Sequence, residues 1–159
     1  MIIDTKFQGL KRELLFPTPI YLKEFEGTKE LNKQLFKNIK VLMKKDPKGL
    51  EYTNVNGWHS QTDLNHKSEF QPLVQQAFTM VDQIFQDYGM APKAALGNMW
   101  ANVNYPGAFN KHHSHPNAII AGVYYVKVPT DDSKSSIWIE DPRPGPNIIV
   151  PRRLDKLPK

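Results

Sequence analysis

The sequence predicts helices followed by an antiparallel sheet: an α+β domain, or an all-β barrel with helices packed on one side. Three observations carry this. Two stretches before Pro92 place apolar residues at helical spacing. After Pro92 the texture changes to alternating and β-rich runs divided by turn residues. The chain has 159 residues, one domain's worth at ~100–150 residues each. A single domain is expected over 1–159, with an N-terminal strand and two supporting helices in 1–92 and the sheet in 93–159.

Residues 1–15 read as a strand or an arm. Phe16-Pro17-Thr18-Pro19 is stiff and extended, because each proline fixes its own φ and restricts its predecessor. Ile20–Phe25 reads as a strand, and Gly27-Thr28 as a turn and N-cap. A helix then runs from Thr28 to about Lys45. Leu31, Leu35, Ile39 and Leu42 share one face of it, and Lys33, Lys37, Lys40 and Lys44 another. Asp46-Pro47-Lys48-Gly49 stops it, and 50–66, weakly periodic, reads as loop. Ser68-Glu69-Phe70-Gln71 has the form of a capping box. The second helix follows to Tyr88, with Leu73, Ala77, Met80, Val81, Ile84 and Phe85 inward and Gly89 suited to close it.

From Leu96 to Tyr105 the chain alternates: Met99, Ala101, Val103 and Tyr105 form one face, Asn98, Trp100, Asn102 and Asn104 the other. Asparagine is a poor strand former, so this second face is either a solvent-facing side or a polar, ligand-lined interior. Pro106-Gly107 is a turn, Ala118–Val128 a long β-rich run, Asp131-Asp132-Ser133 a hairpin-like turn and Ser135–Glu140 another strand. The proline-rich end is largely irregular, with Asn147–Val150 as an edge strand.

Composition narrows the chemistry. Hydrophobic residues make up 40% and charged residues 23%, enough apolar material for a packed core. No apolar run approaches the ~18–20 residues of a membrane span, and the first residues lack a signal-peptide layout. There is no cysteine, so disulfides, thiolate metal sites and cysteine nucleophiles are excluded. A cytoplasmic protein is expected from the lack of cysteine and of a signal segment. The net charge is +5, but the four-lysine helix face reads as a solvated side. Only Arg12, Arg143, Arg152 and Arg153 are arginines, so nucleic acid is not an expected partner.

Three of the five histidines fall within four positions: His112, His113 and His115. In an extended segment residues i and i+2 project to the same side, so His113 and His115 can present imidazole nitrogens to one metal ion. The pair needs a third ligand from elsewhere; the alternative is a polar or structural loop. His112 points the other way, as a bystander or as support behind the ligands. His59 and His66, in the irregular middle segment, read as surface or structural residues.

Asn104-Tyr105-Pro106-Gly107, six positions from that glycine to His113, and then His115 resemble the glycine-turn and His-x-Asp/Glu region of Fe(II)/2-oxoglutarate-dependent oxygenases. The resemblance is nearer to a branch common in marine bacteria and cyanophages. Its matching pieces are Leu15–Pro19, Gly57-Trp58-His59-Ser60-Gln61-Thr62-Asp63-Leu64, Asn102–Gly107, His113–Pro116, Ala121–Val126 and Asp141-Pro142-Arg143. It implies a mainly β fold with flanking helices, the double-stranded β-helix or jelly roll, incomplete at its C-terminus. It implies Fe(II) and 2-oxoglutarate as cofactor and cosubstrate, with hydroxylation of an unspecified substrate. His113 takes the first ligand position, and His115 stands where most of the superfamily has Asp or Glu. Asn102, Asn104 and Tyr124 are the residues expected to contact the cosubstrate.

The family also expects a distal ligating His and a later Arg that pairs with the cosubstrate's far carboxylate. After His115 there are 44 residues and no further histidine. Three explanations stand: a fragment of a longer product, a relative that has lost activity, or replacement by Glu140 or Asp141 with an Arg among 143, 152 and 153 holding an anion. Open sheet edges would then be covered in a homo-oligomer or by a partner chain. The competing function is a non-catalytic jelly-roll structural or interaction protein.

Overall fold

The computed structural model describes residues 18–91, 94–129, 136–141 and 143. Expectations for 1–15, Pro17, 131–133 and 147–150, and for Arg152 and Arg153, lie outside them. The chain divides into two units, the first ending at Val126 and the second starting at Lys127.

In the first unit, helix α1 spans Lys29–Lys45 and helix α2 spans Gln71–Asp87. Both are where the apolar spacing places them. On α1, Leu35 and Ile39 are buried while the four lysines are exposed, so the basic face is a solvated one. Thr28 precedes α1, but its hydroxyl donates to the Phe25 carbonyl and does not cap the helix. The expected capping box of α2 does not form. Ser68–Phe70 make one 3₁₀ turn, and the Gln71 amide donates back to the Asn65 and Lys67 carbonyls at 2.7 and 3.4 Å. The end of α2 follows expectation. Gly89, at φ +65°, sends its N–H to the Gln86 carbonyl, and Met90 sends its own to Phe85, the paired bonds of a Schellman closure.

Ile20–Phe25 is not a strand. Its side chains reach α2: the Tyr21 hydroxyl donates to Asp87, and Lys23 donates to Gln83 at 3.0 Å. That bond to the Asp87 carboxylate, with some burial, pushes the Tyr21 phenol up to about 12.

Residues 50–66, expected to be loop, contain the centre of the core. Strands β1 (Asn54–Val55) and β2 (Trp58–His59) are two residues each. They pair antiparallel with β4 (Phe109–Asn110) and β3 (Asn102–Val103) respectively. The pairing is nested: Asn54 lies opposite Asn110, Val55 opposite Phe109, Trp58 opposite Val103 and His59 opposite Asn102. Two residues, Asn56 and Gly57, link the inner ends on one side, and residues 104–108 bulge on the other. Asn104 fills that gap, its Oδ1 standing 2.3 Å from where a Cβ on Gly57 would sit. Hydrogen bonds from Ser60 to Ala101 and from Lys111 to Thr53 extend the ribbon at both ends.

Trp58, Leu64 and Phe70 join Leu35 and Ile39 in the buried cluster, with Met99, Ala101, Val103, Tyr124 and Val126 packed against it. Full burial of such side chains contributes about 1.5–3 kcal/mol each. Of the face that alternation groups together, Met99, Ala101 and Val103 pack here, whereas Tyr105 is exposed.

Among the described residues strand pairing is confined to these two short ladders and one bridge, Asp63 to Met99. Within Ala118–Val128 no strand is assigned among the described residues; Ile120, Tyr124 and Val126 are half-buried, and Ile119, Val123 and Tyr125 are exposed. The described residues thus combine two 17-residue helices with four two-residue strands in small antiparallel pairs. In the second unit, the described part of the expected strand Ser135–Glu140 carries no strand pairing. No helix among the described residues is long and apolar enough to cross a membrane.

Candidate metal-binding histidine cluster

The register explains why the site lies where it does. His59 and Asn102 are cross-strand partners and share a face of the ribbon, opposite the face of Trp58 and Val103. Trp100, two residues before Asn102, lies on that same face. Its indole stacks on the His59 imidazole, ring centres 5.6 Å apart and planes 14° apart. Beyond β4 the chain returns over this face, bringing the His115 ring to 5.8 Å from Trp100. His113 stands next, its ring centre 5.0 Å from that of His115 and its plane at 80° to it. At the other end Tyr52 meets His59 edge-on at 5.2 Å. Five rings thus follow one another from Tyr52 through His59, Trp100 and His115 to His113.

The two ends of the row differ in environment. His59 is 4% exposed, while His113 and His115 are exposed. The His59 Nδ1 lies 2.6 Å from the Ser60 carbonyl, an acceptor only, so Nδ1 carries the proton. Ser60 is itself buried and its hydroxyl receives the Ala101 N–H at 2.9 Å. At the surface, the His113 Nδ1 lies 2.7 Å from the Lys111 carbonyl. That nitrogen therefore donates, leaving Nε2 as the nitrogen with a lone pair available, as a metal ligand requires.

Two imidazoles on one ion, each with a metal–nitrogen bond of about 2.1 Å, put their ring centres roughly 5 Å apart. The His113–His115 separation meets this test. The donor set is right in kind and incomplete in number: among the described residues no three His, Cys, Asp or Glu side chains come together to hold a metal ion.

The other expected site residues are placed as follows. Asn102 is exposed on the His59 face. Asn104 is exposed and packs against Gly57. Tyr124 is half-buried, its hydroxyl donating to Asn32 of α1 at 2.6 Å and its ring 6.1 Å from Phe25. His112 is exposed next to the pair. His66 is exposed on a 3₁₀ turn, its Nε2 3.2 Å from the Asn65 amide.

In the second unit Arg143 donates both Nε and a terminal nitrogen to Asp141, at 2.9 and 2.6 Å. This fork, with the Arg143 backbone N–H, holds the Asp141 carboxyl down at about 2 and raises Arg143 in turn.

Reading the sequence element by element missed His59 and Trp100 as parts of one site. The signal lay in His59 and in the alternating Asn98–Asn104 face that includes Trp100, which the ribbon brings together by pairing His59 with Asn102.

Residues 98–156 match the model of the family described as "Putative 2OG-Fe(II) oxygenase". The segment holds Trp100, Asn102, Asn104, His113, His115 and Tyr124, so the resemblance read from the sequence is met over it. No curated protein and no solved structure matches the chain.

Proposed function

We propose that this chain is an Fe(II)/2-oxoglutarate-dependent oxygenase in kind, with His113 and His115 supplying two of the metal's ligands. The observation that carries the reading is the geometry of the pair within the matched segment. The two exposed imidazoles meet edge to face with ring centres 5.0 Å apart, and Lys111 fixes the proton of His113 on Nδ1. In this family the oxidant is O₂: bound iron would activate it as 2-oxoglutarate is oxidatively decarboxylated to succinate and CO₂, one oxygen atom going to succinate and the other to the hydroxylated substrate.

The chain's own residues would do the holding. The Lys111 carbonyl sets which His113 nitrogen is free to ligate. A neutral imidazole at His115, where the superfamily has a carboxylate, leaves the ion one charge more positive. Asn102, the cross-strand partner of His59, is the polar group proposed to meet a cosubstrate. The jelly roll that the family implies is the proposed architecture for the sheet to which Ala118–Val128 would contribute.

Anaerobic addition of Fe(II) and then 2-oxoglutarate should produce the weak visible charge-transfer band of a chelated cosubstrate. The His113→Ala/His115→Ala double variant, whose side chains are exposed, should keep its fold and lose the band. A wild-type protein that takes up no Fe(II) would overturn the proposal.

A further inference from the structure

We propose that Trp100, held flat by the buried imidazole of His59, is the positioning residue for His115. The inference rests on His115 being a metal ligand and concerns what aims it.

The two histidines of the pair are oriented differently. His113 is fixed by a hydrogen bond to the Lys111 carbonyl. Among the described residues the His115 ring meets two other rings, Trp100 at 5.8 Å and His113 at 5.0 Å. An exposed imidazole with two free torsions settles where a larger surface backs it, and the indole is that surface. Trp100 is anchored from behind in turn. His59 lies nearly parallel to it at 14°, is 4% exposed, and is tied through Nδ1 to the Ser60 carbonyl. Ser60 is locked to Ala101 in both directions, its N–H donating to the Ala101 carbonyl at 3.0 Å and its hydroxyl receiving the Ala101 N–H at 2.9 Å. Rigidity therefore runs from a strand pair in the core, through two stacked rings, to a ligand at the surface. Partners behind a metal ligand typically change metal affinity by about 10–100-fold when removed.

The test compares Trp100→Phe, which keeps a ring, with Trp100→Leu, which fills space without one. In metal-free wild-type protein, nuclear Overhauser contacts should connect the Trp100 indole to the His115 ring protons, which should also carry an upfield ring-current displacement. Trp100→Phe should retain most of that displacement and bind Co(II) within ~3-fold of wild type. Trp100→Leu should lose the displacement and bind Co(II) about 10-fold more weakly, with the His113 proton still on Nδ1 in ¹⁵N imidazole spectra. Equal behaviour of the two variants and wild type would overturn the proposal. Should Trp100→Leu fail to fold, the wild-type contacts decide: their presence supports the proposal and their absence overturns it. A wild-type protein that shows the ring contacts but binds no Co(II) would refute the metal reading and leave the Trp100–His115 stack standing.

Discussion

Gly49 brings its bare α-carbon against Trp58: a Cβ there would stand 2.8 Å from the indole Nε1 and 2.4 Å from the His59 carbonyl oxygen. Gly49 also sits at φ +62°. Alanine at this position meets two costs, about 1–2 kcal/mol for the left-handed backbone and roughly 1–3 kcal/mol for overpacking. Gly89 has nearly the same φ, +65°, with nothing within 4 Å of its would-be Cβ. It meets only the first cost. In urea unfolding, Gly49→Ala should therefore lose about 1–3 kcal/mol more than Gly89→Ala. Equal losses would show that the contact with Trp58 and His59 yields easily.

The same tryptophan tests the hydrogen bond that turns the end of α1 into the ribbon. Trp58 is 6% exposed and its Nε1 donates to the Asp46 carbonyl at 2.8 Å. Trp58→Phe removes the donor and part of the ring; the lost bond alone should cost about 0.5–1.5 kcal/mol. Trp58→Ala removes the whole side chain and should cost ~3–5 kcal/mol. Thermal unfolding of the two variants checks the order. A Phe variant as unstable as the Ala variant would mean the indole N–H, and not the packed ring, carries this position.

Both helices could be read from the sequence because their signal is local: Leu35 and Ile39 recur at the spacing one helix face needs. The ribbon could not, because its strands are two residues long and pair across more than forty positions, His59 with Asn102. No period-2 pattern develops in two residues, so the core position of Trp58 was hidden in a segment that reads as loop. That the His113 and His115 rings come side by side was legible from their i, i+2 spacing. Their neighbour Trp100 was visible as a residue among asparagines, but its contact with His59 depends on the register. Ala118–Val128 shows the opposite failure: β-rich composition without a described partner strand, since propensity reports fitness for a pleated surface and not the presence of one.

Tyr124 separates a cosubstrate contact from a structural one. Its hydroxyl donates to Asn32 of α1 at 2.6 Å, and its ring packs against the central cluster. Tyr124→Phe keeps the packing and should cost about 0.5–1.5 kcal/mol, the net value of one such bond. If that is the role of the hydroxyl, the 2-oxoglutarate concentration at half-saturation of the visible band should stay within ~2-fold of wild type. A 10-fold rise with unchanged stability would instead assign the hydroxyl to the cosubstrate.

Asp141 gives the chain a distinctive acid titration. The Arg143 side chain first, then its backbone N–H, favours the ionised carboxylate and holds its pKa at about 2. The sign follows from linkage: a depressed folded-state pKa contributes stability above the ordinary carboxylate value of ~3.9 and loses it as pH falls through the folded value. Whatever the pair contributes is therefore intact at neutral pH and is lost from about pH 4 downward. Because Arg143 is more than half exposed, the contribution is screened by salt. Arg143→Leu removes the fork and leaves the backbone donor. The Asp141 carboxyl ¹³C titration should then move upward from about 2 toward ~3–4. A midpoint that stays near 2 in Arg143→Leu would show that the guanidinium is not the main cause of the shift.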